Sequence, residues 1–304
     1  MKALVTGGTG FVGTHLVSHL ADLGYDVTVL VRDRQKIPTA WKEKSNISIL
    51  LFDIESFLKK ESVEESYDII YHFAWMGTSG VLRADESVQL ENIRCTCEMV
   101  RYAGRHKVKR FVFAGSIMEY EAQKFVGGDR KYPAASNMYS IAKLTADYMA
   151  KTLCNALGIE YINVLISNIY GPGEKSDRFL NTMLKKMYNG EICELSEGLQ
   201  LYDFIYIDDA VRAIELSGSK GTSGGEYYIG NPKQYSLKSF VLKMNNIVNK
   251  GTELKFGAIK SSGAFLDYSE FNTFKLEEEL GFKAKVPFSD GVKNTYEWII
   301  KGEV

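Results

Sequence analysis

The stretch TGGTGFVG at residues 6–13 is the clearest indication of the fold of this 304-residue chain. It directly follows an apolar run, KALV at residues 2–5, and it opens a segment with helical periodicity. In a strand–turn–helix unit, glycines spaced three apart allow a tight turn, a close backbone approach to a pyrophosphate, and close packing of the helix on the strand. The stretch therefore predicts a dinucleotide-binding turn, which comprises Gly7, Thr9, Gly10, Phe11, Val12 and Gly13.

Further apolar, β-rich runs follow along the chain and alternate with helical patterns. They are DVTVLV at 26–31, SILLFD at 48–53, DIIYHFAW at 68–75, RFVFAGS at 110–116, YINVLI at 161–166 and EYYIGN at 226–231. Helical periodicity is clear at 12–23, 86–105 and 139–157. This alternation predicts an α/β protein with a doubly wound parallel sheet. The rhythm changes after about residue 167, so we expect 1–167 plus about 201–231 to form the dinucleotide-binding domain, and about 168–200 plus 232–304 a smaller substrate-binding lobe.

Composition and charge argue against several classes of protein. The 37 basic and 38 acidic residues give a net charge of −1, so no overall field favours nucleic acid or an anionic membrane. The N-terminus does not resemble a secretory signal, and no apolar run approaches the roughly 18 residues of a membrane span, which predicts a cytoplasmic protein. The four cysteines form no CxxC pair, and His15 and His19 enclose no glutamate, so we expect no metal site.

The end of the second predicted strand indicates which dinucleotide is bound. Sites that prefer NAD commonly place an acid here to hold the ribose 2′-hydroxyl, whereas this chain has Val31, followed by Arg32 and Arg34. The planar fork of an arginine suits a 2′-phosphate. Asp33 could itself approach a ribose. NADP(H) is therefore the preferred cofactor, and NAD(H) is the alternative.

A tyrosine and a lysine in YSIAK, Tyr139 and Lys143, lie one turn apart on one face of a predicted helix. A nearby ammonium favours the phenolate form of a tyrosine, which lets the phenol exchange a proton with an alcohol or a carbonyl. Ser116 ends a predicted strand, at the sheet edge where open α/β folds bind ligands. Its hydroxyl could hydrogen-bond the oxygen that Tyr139 protonates, so these three residues are the predicted catalytic group.

Together these motifs resemble the extended short-chain dehydrogenase/reductases, and within them the nucleotide-sugar epimerase/dehydratase family, over essentially the whole chain. The glycine stretch is similar to the family's N-terminal fingerprint, and the serine, tyrosine and lysine fall on its catalytic triad. DFIYIDDA at 203–210 matches a further family segment. The resemblance also implies cofactor contacts from FDI at 52–54, HFAW at 72–75, ENIRCT at 91–96 and SNIYGPG at 167–173, namely Asp53, Ile54, Phe73, Ala74, Trp75, Asn92 and Ser167 besides Tyr139 and Lys143.

The resemblance implies hydride transfer between a nicotinamide and a sugar carbon, commonly C4. Tyr139 would serve as acid or base, Lys143 would lower its pKa and hold the nicotinamide ribose, and Ser116 would orient the sugar oxygen. The family's 4,6-dehydratases carry an Asp-Glu pair directly after the serine or threonine, where this chain has Ile117 and Met118. Dehydration therefore lacks its acid and base. Glu119 is one residue further on, and we expect it to point elsewhere.

The substrate contacts that the resemblance implies are less complete. Trp75 and Met118 suggest an apolar pocket for the C6 methyl group of a 6-deoxyhexose. Where many relatives have an arginine that clamps the diphosphate, this chain has Tyr202. Either the diphosphate is held differently or the substrate is not a nucleotide sugar. The candidate substrate-binding residues are Thr78, Ser116, Met118, Tyr139, Asn168, Arg178 and Lys260.

The leading hypothesis is NADPH-dependent 4-keto reduction of a nucleotide-diphosphate-4-keto-6-deoxyhexose, with Tyr139 as the proton donor. One alternative is an NAD-dependent nucleotide-sugar 4-epimerase. Another is a non-catalytic dinucleotide-binding sensor, although a sensor has no need of all three catalytic residues. Family members often dimerise through a four-helix bundle, which implies a homodimer built from the helices at 86–105 and 139–157.

Overall fold

The computed structural model describes residues 1–58, 66–127, 133–260 and 266–302. The chain divides into two compact units, the first made of Met1–Ile166 and Val211–Tyr227, and the second of Ser167–Ala210 and Tyr228–Val304. The described strands are β1 (Lys2–Thr6), β2 (Asp26–Val31), β3 (Ile47–Leu51), β4 (Ile69–His72), β5 (Arg110–Ser116), β6 (Glu160–Ile166), β7 (Ile169–Tyr170), β8 (Cys193–Leu195), β9 (Leu201–Tyr202), β10 (Ile205–Tyr206), β11 (Gly225–Ile229), β12 (Tyr235–Ser236) and β13 (Leu254–Phe256).

The described α-helices are α1 (Phe11–Asp22), α2 (Ile54–Leu58), α3 (Glu86–Arg105), α4 (Glu119–Gly127), α5 (Met138–Leu157), α6 (Phe179–Asn189), α7 (Ile207–Lys220), α8 (Leu237–Val248), α9 (Lys275–Leu280) and α10 (Phe288–Ile300). Short 3₁₀ turns occur between them, among them Arg34–Lys36 and Val81–Ala84. Among the described residues, none of these helices is both long and apolar enough to cross a membrane.

The first unit is built on a seven-stranded sheet in the order β11-β6-β5-β4-β1-β2-β3. The neighbouring strands from β3 to β6 pair in parallel. These strands are near-continuous apolar runs, with Leu4, Val5, Phe111 and Phe113 fully buried, as is typical of a parallel sheet covered on both faces. The predicted α/β class and doubly wound parallel sheet are therefore confirmed. Because the strand order reverses at β1, the carboxyl ends of β1 and β4 form the crevice in which such sheets bind ligands.

Helix α5 shows how the sequence positions a helix against this sheet. It contacts α3, β5 and β6. Its buried residues Ala142, Ala146 and Ala150 recur every four positions, so one face of small side chains packs closely on the core. The helix ends at Gly158, whose φ of 68° gives the left-handed cap that favours glycine. Tyr139 and Lys143 are thereby fixed on a buried, well-packed helix.

The second unit combines helices with very short strands. Strand β7 pairs with β10, β8 with β13, and β9 with β12. Helices α6, α8 and α10 pack on one another. An aromatic cluster is centred on Phe204, whose ring lies 4.9 Å from that of Phe240, 5.8 Å from that of Phe288 and 6.1 Å from that of Tyr170. These aromatic contacts supply much of the apolar packing of the second unit.

The segment at about 201–231 contributes fewer residues to the first unit than the sequence predicts. Residues 201–231 were expected to belong to the dinucleotide-binding domain, but the structure assigns only Val211–Tyr227 to the first unit. The reason is that β9 and β10 pair with β12 and β7, which are strands of the second unit. The boundary near residue 167 falls between Ile166 and Ser167.

Candidate active site

The predicted dinucleotide turn joins β1 to α1 and requires glycine at two positions. Gly7 has a φ of 70°, and a Cβ there would lie 2.5 Å from the carbonyl carbon of Phe73. A Cβ on Gly13 would lie 2.1 Å from the Gly7 oxygen. Both neighbours are backbone atoms, so neither position accepts a side chain. Gly10 is the N-cap of α1 and contributes no capping side chain, which leaves the first N–H groups of the helix available to an anion.

A cavity of about 640 Å³ lies at this turn, along the carboxyl ends of β1, β2, β3 and β4. It is within the size range of small-molecule sites. The predicted cofactor residues that line it are Gly7, Thr9, Gly10, Arg32, Asp53, Ile54, Phe73, Ala74, Trp75 and Asn92. Phe11, Val12 and Gly13 form the first turn of α1. The sequence reasoning missed further lining residues, namely Leu30, Lys36, Phe52, Met76, Glu91 and Cys95. The glycine cradle and the cavity fit a dinucleotide.

The end of the cavity beside β2 carries positive charge. Arg32 and Lys36 line it, and both are exposed. Val31, at the position where an acid would favour NAD, is fully buried. Asp33 accepts the backbone N–H two residues further on at 2.9 Å, so its carboxylate caps the following 3₁₀ turn. Arg34 begins that turn and is not among the described residues that line the cavity. The second cation in the described cavity lining, besides Arg32, is Lys36 and not Arg34.

Hydrogen bonds hold the segment after β4 that borders the cavity. The Asn92 side chain accepts the Met76 N–H at 2.9 Å and donates to the Met76 carbonyl at 2.8 Å. The indole N–H of Trp75 donates to the side-chain oxygen of Gln89 at 3.0 Å, and Gln89 is itself buried. Asn92 therefore has a structural role in shaping the cavity wall, and Gln89 fixes the orientation of the Trp75 ring.

The three predicted catalytic residues all lie in the first unit. Ser116 ends β5, and Tyr139 and Lys143 lie one turn apart on α5. Their exposed fractions are 8%, 7% and 4%, respectively. The Lys143 ammonium donates to the carbonyl of Ala114 at 2.7 Å and lies 3.7 Å from the centre of a Trp75 ring. A backbone carbonyl and an aromatic face thus contact the buried ammonium group of Lys143.

The charge state of Lys143 is finely balanced. Burial lowers the pKa of Lys143 to about 7, and the negative charges of Glu119 and Asp147 act in the opposite direction. The ammonium form is therefore dominant on the acid side of neutrality and decreases as the pH rises. Any group that changes the charge near Lys143 shifts this balance.

Arg83, which the sequence reasoning missed, brings a second cation to Tyr139. Its guanidinium carbon lies 4.0 Å from the centre of the Tyr139 ring, and its Nη1 donates to the Thr78 carbonyl at 2.9 Å. The Trp75 ring packs edge-on against the same tyrosine, with 6.2 Å between centroids. Arg83 belongs to a 3₁₀ turn without a recognisable motif, so only the fold reveals its position beside the predicted catalytic tyrosine.

The family model described as "NAD dependent epimerase/dehydratase family" matches residues 3–230. The matched range contains the glycine turn, the whole described lining of the cavity and the serine, tyrosine and lysine. The chain belongs to this family. It is an NAD(P)-dependent oxidoreductase of the extended short-chain dehydrogenase/reductase type.

Curated relatives and solved structures agree with this membership. The CDP-abequose synthase of Salmonella muenchen is 28% identical over 298 residues, 96% of this chain and 96% of its own. The dTDP-glucose 4,6-dehydratase of Streptomyces niveus is 26% identical over 313 residues, 98% of this chain and 92% of its own. The structure of the UDP-glucose 4-epimerase of Thermotoga maritima with UDP-glucose shares the fold, with a TM-score of 0.80, 21% identity and full coverage of both chains.

In this epimerase/dehydratase chain, no carboxylate follows Ser116 directly. Ile117 is buried and Met118 is partly buried, and the Met118 N–H donates to the Ser116 hydroxyl oxygen at 3.2 Å. Glu119 turns into the interior, where its carboxylate accepts the backbone N–H of Ser116 at 2.7 Å and the side-chain amide of Asn163 at 3.3 Å. The acid side chain nearest to Ser116 in the sequence thus supports the turn from within.

Two of the predicted substrate residues that belong to the first unit lie near this centre. Thr78 is exposed, and its carbonyl accepts the guanidinium of Arg83. Met118 directly follows the buried Ile117 and remains partly exposed. Neither residue carries a charge, whereas Arg83, which the sequence did not predict, places a positive charge 4.0 Å from the centre of the Tyr139 ring.

The remaining predicted residues of this epimerase/dehydratase chain lie in the second unit. The Ser167 hydroxyl donates to Asp203 at 2.8 Å, and the Asn168 carbonyl accepts the N–H of Ile205 at 3.2 Å. Arg178 is paired with Glu174 at 3.7 Å, and Lys260 is exposed. These contacts fix the loop after β6 internally.

Asp203 is a structural residue that the sequence reasoning missed. It is fully buried and accepts hydrogen bonds from Ser167, from the Asn231 N–H at 2.9 Å and from the Tyr268 hydroxyl at 3.3 Å. A Cβ on Gly230 would lie 2.3 Å from its carboxylate, so glycine is required there. The family segment DFIYIDDA begins at this residue, which was the available signal.

Proposed function

We propose that this protein uses NADPH to reduce the C4 keto group of a nucleotide-diphosphate-4-keto-6-deoxyhexose. The observation that carries the proposal is a buried serine, tyrosine and lysine in the same unit as a cofactor cavity that is lined by Arg32 and Lys36, with Val31 in place of an acid. The residues after Ser116, Ile117 and Met118, argue against dehydration. The relative named CDP-abequose synthase supports a nucleotide sugar as substrate.

Each residue of the candidate site has its own role in the proposed reaction. Tyr139 donates a proton to the C4 oxygen, and Ser116 hydrogen-bonds the same oxygen. Lys143 and Arg83 bring positive charge to the phenol, which stabilises the phenolate left after proton transfer. The glycine turn would hold the pyrophosphate of the dinucleotide, and Lys143 its nicotinamide ribose. When bound, NADPH would supply the hydride.

The substrate pocket of the proposed reductase has an apolar side. Trp75 packs against Tyr139, and Met118 follows the hydroxyl-bearing Ser116 by two positions. An apolar wall beside the reacting carbon suits a methyl group at C6 better than a hydroxymethyl group, because a buried hydroxyl needs a hydrogen-bond partner. The diphosphate is assigned to Asn168, Arg178 and Lys260 of the second unit. Arg178 is the weakest of these, because Glu174 already pairs with it.

A second candidate function is an NAD-dependent nucleotide-sugar 4-epimerase. It is supported by the fold shared along the whole chain with proteins described as UDP-glucose 4-epimerase and UDP-glucuronic acid 4-epimerase. An epimerase oxidises and re-reduces the same sugar and retains its cofactor. It therefore predicts that the purified protein carries NAD and interconverts nucleotide-hexose epimers without added reductant.

The test supplies NADPH and, in parallel, NADH together with freshly generated dTDP-4-keto-6-deoxyglucose. Loss of reduced-cofactor absorbance is followed, and the product is weighed. The proposal expects oxidation that prefers NADPH, a product two hydrogens heavier, and loss of turnover in Tyr139→Phe. A protein that oxidises neither cofactor with this substrate or its other nucleotide forms, but interconverts nucleotide hexoses, is an epimerase instead.

A further inference from the structure

A buried acidic cluster lies beneath the catalytic residues and has no place in the mechanism above. Glu119 of α4, Asp147 of α5 and Glu226 of β11 each direct a carboxylate oxygen to one region, with these oxygens within 4.8 Å of one another. Glu119 is 1% exposed and Asp147 is 7% exposed. Lys143 lies one turn before Asp147 on α5 and interacts electrostatically with both acids. The negative charges of the cluster therefore act directly on the ammonium group of Lys143.

The two buried carboxyl groups of the cluster, those of Glu119 and Asp147, disfavour each other's ionisation. Their carboxylate oxygens lie within 4.8 Å of each other, so two negative charges there would repel. Burial raises the pKa of Asp147 to about 6, and the Tyr161 hydroxyl, which donates to it at 2.6 Å, acts in the opposite direction. Glu226 accepts the Tyr120 hydroxyl at 2.9 Å. Glu119 is the most deeply buried of the three, and burial followed by the charge of Asp147 raises the pKa of Glu119 to about 8.

The groups around Glu119 can accommodate both the protonated and the ionised form of its carboxyl group. The side-chain oxygen of Asn163 has no hydrogen-bond partner among the described residues. It lies 2.1 Å from the position of a Cβ on Gly115, and Glu119 Oε1 lies 2.9 Å from the same position. An unpartnered acceptor near the acid can accept a hydrogen bond from its protonated form. The titratable groups that act on Glu119 are Asp147 and Lys143 of α5 and Glu226 of β11. Glu119 in turn acts on Tyr161 of β6, and Lys143 acts on buried His72 of β4.

We propose that Glu119 is a positioning residue for the reaction proposed above, with two separable effects. Its carboxyl group holds the backbone of Ser116 through the hydrogen bond at 2.7 Å, and its negative charge, when present, favours the ammonium form of Lys143. This inference rests on the proposed function. It goes beyond that function because Glu119 touches neither the sugar nor the cofactor in the mechanism described above.

The two effects make different predictions for two substitutions. Glu119→Gln keeps an oxygen that can accept the Ser116 N–H but never becomes charged. Its kcat at pH 6 should lie within about threefold of wild type, since Glu119 is protonated there, while its alkaline limb should move to lower pH because Lys143 loses its negative neighbour. Glu119→Ala removes the support of Ser116 and should reduce kcat by roughly 30-fold at every pH, with little change in KM.

The experiment measures kcat and KM for keto-sugar reduction between pH 5.5 and 9.5 in wild type, both variants and a control, on the order of ten pH values each. The control is Glu121→Gln, which removes the charge of a partly exposed acid of the same helix but keeps the oxygen that accepts the Ser140 hydroxyl at 2.7 Å, and it should leave the profile unchanged. Circular dichroism and thermal melting identify a variant that fails to fold. If Glu119→Ala fails to fold, Glu119→Gln still tests the charge effect.

Infrared spectroscopy separates this inference from the proposed function. The difference spectrum between wild type and Glu119→Gln should contain the carbonyl band of a protonated carboxylic acid that disappears as the pH rises past about 8, with no substrate present. That band supports the ionisation of Glu119 even if no substrate is turned over. Absence of the band, an unmoved alkaline limb in Glu119→Gln, or wild-type kcat in Glu119→Ala would overturn the inference.

Discussion

The choice of cofactor gives the sharpest test of the cavity. Arg32 and Lys36 line its β2 end, and the described residues give Arg32 only a weak hydrogen bond, from Nη1 to the Met76 sulfur at 3.7 Å. Both cations are therefore available to the 2′-phosphate that distinguishes NADPH from NADH. Asp33 is engaged with the backbone of its own turn, at 2.9 Å, and competes poorly for a ribose.

The expected loss of NADPH affinity depends on how far solvent screens the charges of Arg32 and Lys36. A charge-assisted hydrogen bond contributes roughly 1.5–3 kcal/mol, but both side chains are exposed and screened by solvent, which reduces the figure to about 1 kcal/mol each. One kcal/mol corresponds to about a fivefold change in affinity. Arg32→Ala and Lys36→Ala should each weaken NADPH binding about fivefold, and the double variant roughly 25-fold, with NADH binding unchanged.

The assay is the dissociation constant of each cofactor from fluorescence titration at low ionic strength, which needs no substrate. Arg34→Ala is the matched control, because Arg34 is exposed and outside the described lining of the cavity. It should leave the ratio of NADPH to NADH affinity within about twofold of wild type. The reasoning is refuted if Arg34→Ala changes this ratio as much as Arg32→Ala does, or if wild type binds NADH more tightly than NADPH.

Four further outcomes are expected. Tyr139→Phe should bind the dinucleotide normally but lose at least about 100-fold in kcat, because the proton donor is gone; cofactor titration and steady-state kinetics measure both. Gly13→Ala places a Cβ 2.1 Å from backbone and should weaken dinucleotide affinity at least roughly tenfold, as calorimetric titration would show. Asp203→Ala leaves buried donors unpaired and should cost about 2–4 kcal/mol of unfolding free energy in urea, whereas Asp203→Asn should cost less; equal losses would contradict the hydrogen-bond argument. Leu90 of α3 is 64% exposed and Tyr148 of α5 is 59% exposed, so we expect a homodimer in light scattering and a monomer when both are changed to Glu.

The parallel sheet could be predicted because its strands are buried on both faces. Such strands are unbroken apolar runs, and runs such as 26–31 and 110–116 coincide with β2 and β5 to the residue. The end of α5 could be predicted for a different reason, since Gly158 adopts the left-handed conformation that other residues avoid. In both cases the local sequence alone determines the outcome.

The second unit was harder to predict because its strands carry little local information. Strands β7, β9, β10 and β12 have two residues each, too few for any alternation of apolar and polar positions. Leu201–Tyr202 and Ile205–Tyr206 read as part of the large sheet, yet they pair with β12 and β7. The pairing partner of so short a strand is determined by tertiary packing, which the sequence pattern does not contain.

In the candidate site too, some residues could be predicted from the local sequence and others only from the tertiary structure. Tyr139 and Lys143 could be paired from the sequence because one helical turn separates them, and the glycine turn from its spacing. Arg83 and Glu119 could not be assigned in this way, since each reaches the catalytic residues from another element. They are also the residues that change the charge around Tyr139 and Lys143.

The way in which the protein binds its cofactor bears on whether it is a reductase or an epimerase. A reductase must release oxidised cofactor after each turnover, whereas an epimerase retains it. Exposed cations such as Arg32 and Lys36 would contribute only about 1 kcal/mol each, which would favour a 2′-phosphate but would add little to retention. An epimerase would need its retention from buried contacts around the nicotinamide, for which Trp75 and Lys143, with the Trp75 ring 3.7 Å from the Lys143 ammonium, are the predicted residues. Because the two requirements involve different residues, cofactor preference and cofactor retention can be measured separately and need not change together.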